Sequence, residues 1–316
     1  MKAFVIGGAG FIGSHIVDQL LSQKVDVVVI DNLSNGRKHW LPPVVTFYEL
    51  DMFDQELEDV FEIEKPDFVF HQAAQISVAK SMTAPAEDAR MNILGTINVL
   101  QCAVKFQVKR FIFASSAAVY GMPEYLPISE EHRIEPASFY GMSKAFAEEY
   151  IRLFSTLRQL KYSIFRYGNV YGPRQNTHGE AGVIAIFFDR LFSGESLTIY
   201  GDGTQTRDFI HVKDVAAACV KSMTLNESSI MNLGTNKSVS INDLIRHIME
   251  VTGMTVVTNR MPRKKGDIIH SYLDNKQALL QLDWQPVYTI IDGLYDMYQN
   301  LKKDYKQVND RGEPDV

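Results

Sequence analysis

Met1-Lys2-Ala3-Phe4-Val5-Ile6-Gly7-Gly8-Ala9-Gly10-Phe11-Ile12-Gly13 is the stretch that decides the fold of this 316-residue chain. A short apolar strand, Ala3 to Ile6, ends on glycines at 7, 10 and 13, and a helix is expected over Ser14 to Leu21. A second apolar run, Val25 to Ile30, stops on Asp31. The spacing suits a dinucleotide. The first glycine permits a tight turn, the second lets the backbone approach a pyrophosphate, and the third lets the helix lie against the strand. The helix N-terminus then attracts the anion. A preceding strand, a following helix and an acid after the next strand raise the triplet above an ordinary glycine turn.

Asp31 selects the cofactor. A carboxylate there accepts hydrogen bonds from both adenosine ribose hydroxyls and repels a 2'-phosphate, so NAD is expected over NADP. Arg37 and Lys38, close by in sequence, are the features that favour the phosphate.

Composition sets the outer bounds. The balance of 32 basic against 38 acidic residues is mildly acidic with no basic tract, which argues against a nucleic-acid partner. Cys102 and Cys219 lie far apart in apolar surroundings and form neither a metal-ligand pattern nor a disulfide framework. A cytoplasmic protein without a metal is therefore expected. The opening apolar run is already the first strand of the nucleotide fold and reads as no secretory signal. No apolar stretch approaches the length of a membrane span.

Further strands are expected at Val44 to Glu49, Phe68 to His71, Arg110 to Ser115 and Tyr162 to Tyr167, with helices over Gln55 to Glu62, Ala84 to Phe106 and Tyr140 to Leu160. The alternation gives an α/β fold, a Rossmann-like doubly wound parallel sheet. From Asn169 onward glycines and prolines punctuate shorter elements, with helices expected at Ile184 to Phe192, Val212 to Met223 and Ile241 to Val251. Residues 1–168 are read mainly as a NAD-binding domain and 169–316 mainly as a smaller substrate-binding lobe, with some segments returning to the main sheet.

Tyr140-Gly141-Met142-Ser143-Lys144 opens a helix, which puts Tyr140 and Lys144 on one face. A tyrosine titrates near pH 10, and a neighbouring ammonium is expected to stabilise the phenolate and lower that value. The product is a base able to take a hydroxyl proton as hydride leaves the same carbon. Ser115 and Ser116 end a parallel strand, where open α/β sheets place their ligands; a hydroxyl there can pass a proton to Tyr140.

With these residues in hand the chain resembles extended short-chain dehydrogenase/reductases, and among them UDP-glucose 4-epimerases and their N-acetylhexosamine relatives. Gly7 to Gly13, Asp31-Asn32, His71 to Gln75, Asn92, Ser115-Ser116, Tyr140 to Lys144, Arg166 to Arg174 and Arg207 to Val212 carry the likeness. It implies NAD-dependent 4-epimerisation of a UDP-hexose through a transient 4-keto sugar, with Ser116, Tyr140 and Lys144 catalytic, and a homodimer formed through segments 84–106 and 138–158. It implies cofactor contacts from Gly7, Gly10, Phe11, Ile12, Gly13, Asp31, Asn32, Ser34, Asn35, Gly36, Asp51, Met52, Gln72, Ala73, Ala74, Gln75, Asn92, Ser115, Tyr140, Lys144 and Tyr167. Substrate contacts are implied for Ser116, Tyr140, Asn169, Val183, Tyr200, Arg207 and Asp267, with either Arg263 or Lys264 as a second phosphate cation. Ile76 stands where bacterial glucose-specific members have a lysine. Ser271 stands where glucose/galactose-restricted members have a bulky tyrosine, which implies room for a 2'-N-acetyl group. Dehydratases need an acid and a base just after the catalytic hydroxyl, and decarboxylases need a glutamate nearby; this chain has Ala117 and Ala118. The same set of residues is compatible with epimerisation of UDP-glucuronate or another nucleotide sugar, and less so with a non-catalytic NAD-binding role.

Overall fold

The computed structural model of the chain describes residues 1–176, 182–263 and 266–311. Its first strand, β1 (Lys2–Ile6), is followed by β2 (Asp26–Asp31), β3 (Thr46–Glu49), β4 (Phe68–His71), β5 (Arg110–Ser116) and β6 (Lys161–Tyr167). These pair in parallel in the order β6-β5-β4-β1-β2-β3, and the later strand Ser229–Leu233 adds in parallel to the β6 edge. The order reverses direction between β1 and β4, which opens a crevice at the carboxyl ends of those two strands, where such sheets bind ligands.

Both sheet faces are covered, and this explains why the strands read as unbroken apolar runs. Ala3 and Val5 of β1, with Val27 and Val29 of β2, pack against Ile16, Val17 and Leu20 of α1 (Phe11–Ser22) and against the helix Val212–Lys221. Phe4, Ile6, Val28 and Ile30 point the other way, toward the helices Glu56–Glu64, Gly95–Lys105 and Phe139–Arg158. A separate core, built on Ile184, Phe187, Phe188, Leu244, Ile248 and Leu294, holds together the later helices. Strand pairs 169–171 with 209–211, and 197–200 with 258–261, frame this second region.

The helix expected over Ala84 to Phe106 runs without interruption from Pro85 to Lys105 and carries a π turn, Arg90–Leu94, between the α-helical segments Pro85–Ala89 and Gly95–Lys105. Gly95 opens the second α-helical segment, and a side chain there would meet the Met52 sulfur, at 2.2 Å from its Cβ. The carboxyl-terminal helix, Ile290–Arg311, runs on past Leu301, because Leu294 and Met297 bury its first turns in the second core. Among the described residues no helix is long and apolar enough to cross a membrane.

Candidate active site

The crevice begins at Gly7, whose φ of +80° and tight fit leave no room for a side chain: its Cβ would lie 2.6 Å from the Ala73 nitrogen. Gly13 is equally constrained, with its Cβ 2.1 Å from the Gly7 carbonyl oxygen. Gln72 and Ala73 both donate their N–H groups to the Ile6 carbonyl, at 2.8 and 2.9 Å, so the loops after β1 and β4 form one wall. α1 starts at Gly10 without a side-chain cap and with no acid in its first turn. That leaves Phe11 and Ile12 at a helix start open to an anion.

Asp31 ends β2 beside this wall. Its Oδ2 accepts from Ala9 N–H at 2.9 Å and its Oδ1 from Leu33 N–H at 2.8 Å. Burial pushes the carboxyl up while the two N–H groups pull it down. Each oxygen has a lone pair to spare for a hydroxyl. Gly36 closes over it, since a Cβ there would approach Asp31 Oδ1 to 2.8 Å, and Ser34 N–H donates to Asn32 at 3.0 Å; Asn35 is exposed beside them. Asn32 in turn donates to Asp51 at 2.7 Å. The Met52 side chain lies in the core beneath Gly95. Lys38 is drawn to the Phe47 ring, 4.6 Å from its centroid.

Deeper in, the π turn carries Asn92, which is 2% exposed. Asn92 Oδ1 accepts from Gln75 N–H at 2.8 Å, and its amide donates to the Gln75 carbonyl at 3.0 Å and to Ser143 Oγ at 3.0 Å. The loop Ala73-Ala74-Gln75 is thereby tied to the helix that begins at Phe139 and is capped by Ser138, whose hydroxyl accepts from Gly141 N–H at 3.1 Å. This helix presents Tyr140 half-buried and Lys144 buried, the ammonium 6.0 Å from the phenol ring centroid. Lys144 Nζ donates to the Ala114 carbonyl at 2.9 Å, which pins it beneath the end of β5. Burial draws Lys144 down to about 8, opposed by the carboxylates of Asp88 and Glu148.

Two expectations change here. Burial raises the Tyr140 phenol, and the group that pulls it down is Ser116, through a side-chain hydrogen bond, whereas the lysine was expected to do so. The physical reason is geometric, since Lys144 Nζ is held on the Ala114 carbonyl, 6.0 Å from the phenol ring centroid, while Ser116 bonds the phenol. Ser115 and Ser116 also part company. Successive strand residues face opposite sides, so Ser116 turns to the crevice while Ser115, 2% exposed, donates to the buried Glu148 on the far face. The Ser115 side chain is therefore a tie to the helix.

Tyr167 ends β6 opposite Ser116 in the strand register. Its hydroxyl lies 3.3 Å from Gln72 Oε1 and 3.2 Å from Cys219 Sγ, and burial raises it well above its ordinary value. Gln72 Nε2 is buried without a hydrogen-bond partner among the described residues. A glycine cradle, an uncapped helix start, a carboxylate with free lone pairs and an orphan amide donor together fit an adenine dinucleotide carrying a carboxamide.

The second region brings Arg207 and Asp267 together at 3.0 Å. Asp208 does not pair with that arginine. It is buried and accepts from Thr235 N–H and Oγ1 at 2.8 and 2.6 Å. Asn169 is exposed on the short strand beside them, its N–H bonded to the Asp208 carbonyl. Ser271 is half-buried, with its N–H on the Thr206 carbonyl at 3.2 Å. Val183 opens the helix Val183–Phe192 and packs on the second core, and Tyr200 is 38% exposed. Arg263 Nη2 stands 3.7 Å from Asp202, and Lys264 lies outside the described residues. Sequence reasoning missed Glu148, whose partners Ser115 and Arg166 are distant in the chain, and Asp88, which meets Asn92 at i+4 but Gln75 only across the loop after β4.

Sheet, glycine crevice and the tyrosine–lysine helix together define an extended short-chain dehydrogenase/reductase, an enzyme class built around a nicotinamide dinucleotide. The model of the NAD dependent epimerase/dehydratase family matches residues 3–234. The chain belongs to that family, in its UDP-glucose 4-epimerase branch. It is 45% identical over 295 residues to a putative UDP-glucose 4-epimerase of Methanocaldococcus jannaschii, covering 92% of this chain and 95% of the relative. A UDP-glucose 4-epimerase of Thermotoga maritima, solved with UDP-glucose, superposes with a TM-score of 0.92 at 40% identity, covering 96% of this chain and all of that one (100%). A Thermus thermophilus UDP-glucose 4-epimerase solved with NAD gives 0.90 at 36% identity, with 96% and 99% covered.

Proposed function

We propose that the chain catalyses the NAD-dependent 4-epimerisation of a UDP-hexose, UDP-glucose or UDP-galactose and their N-acetylated forms, through a transient 4-keto sugar. The observation that carries this reading is the convergence of Ser116, Tyr140 and Lys144 at the mouth of the glycine crevice. NAD, when bound, would supply a hydride acceptor and, in its oxidised form, a positive charge.

Tyr140 takes the proton of the sugar hydroxyl as its carbon is oxidised and returns it after the keto sugar has presented its other face. Ser116 bonds the phenol and shares the sugar oxygen. Lys144, fixed on Ala114, would hold a ribose of the cofactor and keeps a cation near the base. Arg207 meets the diphosphate with a planar fork, and Asp267 takes a ribose hydroxyl. Held at its nucleotide end, the substrate keeps a sugar free to rotate. Ala117 and Ala118, following Ser116, carry no proton, which disfavours dehydration or decarboxylation.

The homodimer is supported by exposed apolar residues on adjacent helices: Leu94 on one, Phe139, Met142, Phe146, Leu153 and Leu157 on the other. A cytoplasmic setting is supported by two buried free thiols. The test is to purify the chain and supply UDP-galactose with no added redox partner. Appearance of UDP-glucose, with NAD still bound, supports the reading; no conversion of any UDP-hexose overturns it.

A further inference from the structure

Asp88 sits in the short helix ahead of the π turn, 1% exposed. Its Oδ1 accepts from Gln75 Nε2 at 2.8 Å and from Asn92 Nδ2 at 3.3 Å. Its Oδ2 is buried and has no partner among the described residues. A buried carboxylate oxygen left bare is costly and calls for a reason. Asp88 shares Gln75 and Asn92 with the loop after β4, and Asn92 reaches Ser143 on the helix that carries Tyr140 and Lys144. π turns such as Arg90–Leu94 recur at functional sites.

We propose that Asp88 is a positioning residue of this site: its buried carboxylate, clamped by Gln75 and Asn92, sets the field in which Tyr140 and Lys144 exchange and hold protons. The inference rests on the reading of those two residues as the reactive pair.

The other titratable groups around the pair are Glu148 on the same helix, His71 on β4 and Tyr167 on β6. Glu148 is neutralised by Arg166 at 2.6 Å. His71 is held uncharged, pushed down to about 3 by burial and by Lys144, and Tyr167 is held protonated by burial. Asp88 is the carboxylate of this group with no cation bonded to it among the described residues. Its charge opposes the burial that draws Lys144 down to about 8, and it adds to the burial that raises Tyr140. The carboxylate therefore keeps the lysine cationic and makes the phenol a stronger base once ionised.

The experiment is the pH profile of kcat for UDP-galactose conversion by the full-length protein and by Asp88→Asn, which keeps the shape and removes the charge. Both limbs are expected to move to lower pH by about 0.5 unit or more, since phenolate is repelled less and ammonium attracted less. Asp88→Ser must show the same displacement, which guards against a folding failure of the first variant, and Asp88→Glu must restore the limbs. Limbs that stay in place while activity falls by one factor at every pH would reduce Asp88 to a structural tie and overturn the inference. If Tyr140→Phe kept full turnover, the proton-transfer reading itself would go, and Asp88 with it. Loss in Tyr140→Phe beside unmoved limbs in Asp88→Asn removes Asp88 alone.

Discussion

Glu148 and Arg166 form a fully buried ion pair that joins the tyrosine–lysine helix to β6: Nη2 lies 2.6 Å from Oε2, and Nε 3.0 Å from Oε1. Glu148 stands one helical turn beyond Lys144, and Arg166 immediately precedes Tyr167. Arg166 also donates to Tyr120 Oη at 3.0 Å, and that hydroxyl donates to Asn232 at 2.6 Å on the strand at the sheet edge. The pair fixes the distance between the base and the strand end carrying Tyr167.

Glu148→Ala strands a buried guanidinium. Truncating one member of such a pair typically costs about 3–5 kcal/mol, because the partner charge is left without compensation. Urea denaturation should show a loss of that order, together with reduced turnover. A loss of about 1 kcal/mol or less, the range of exposed pairs, would mean water enters and the pair does not weld the helix to the sheet.

Tyr140→Phe removes the proposed base and leaves the ring. Turnover of UDP-galactose should fall by about 10²-fold or more. Bound NAD, read from the absorbance ratio after gel filtration, should stay, since the glycine crevice and Asp31 are untouched. Near-normal turnover would move the proton transfer to another group.

The parallel sheet was legible because a strand buried on both faces has an apolar interior, and β1, β2 and β5 carry the runs Ala3 to Ile6, Val27 to Ile30 and Phe111 to Ala114. The glycine crevice and the Tyr140–Lys144 pair were legible because their chemistry is local in sequence. What escaped is non-local. Ser115 and Ser116 look alike in sequence, and strand alternation alone separates Ser116 at the crevice from Ser115 beneath it. Glu148 and the Arg207–Asp267 pair depend on partners 18 to 60 residues away, and Asp88 reaches Gln75 13 residues back as well as Asn92 on its own helical stretch. The position of Lys144 is set by a backbone carbonyl, Ala114, that no residue type announces.

Two buried histidines make stability depend on pH. His71 is pushed down to about 3 and His15 to about 4, both chiefly by burial. Unfolded histidine titrates near 6.5, so below that pH the unfolded chain binds protons the folded chain refuses. The contribution is present above pH 6.5 and is lost as pH falls toward the folded values, at about 1.4 kcal/mol per pH unit for each histidine. Denaturation midpoints measured from pH 7.5 to 5 should fall, and His71→Asn should lessen the slope. An unchanged slope in that variant would show that His71 accepts a proton in the folded chain without penalty.

Ser271→Tyr tests the pocket's size. Ser271 is half-buried, and its backbone is fixed to the Thr206 carbonyl beside the Arg207–Asp267 pair. A side chain grown from that anchored backbone has little freedom to retreat. A phenol in place of a hydroxymethyl group should therefore fill space that a 2'-N-acetyl group needs and a plain hydroxyl does not. Steric exclusion of this kind, worth about 1–3 kcal/mol in comparable pockets, predicts a drop of about 10- to 100-fold in kcat/KM for UDP-N-acetylgalactosamine. UDP-galactose should change by less than threefold, on the order of 0.6 kcal/mol. The two substrates compared in one preparation separate a gate from general damage. An equal loss on both would place Ser271 outside the sugar pocket and leave acetyl tolerance to some other residue.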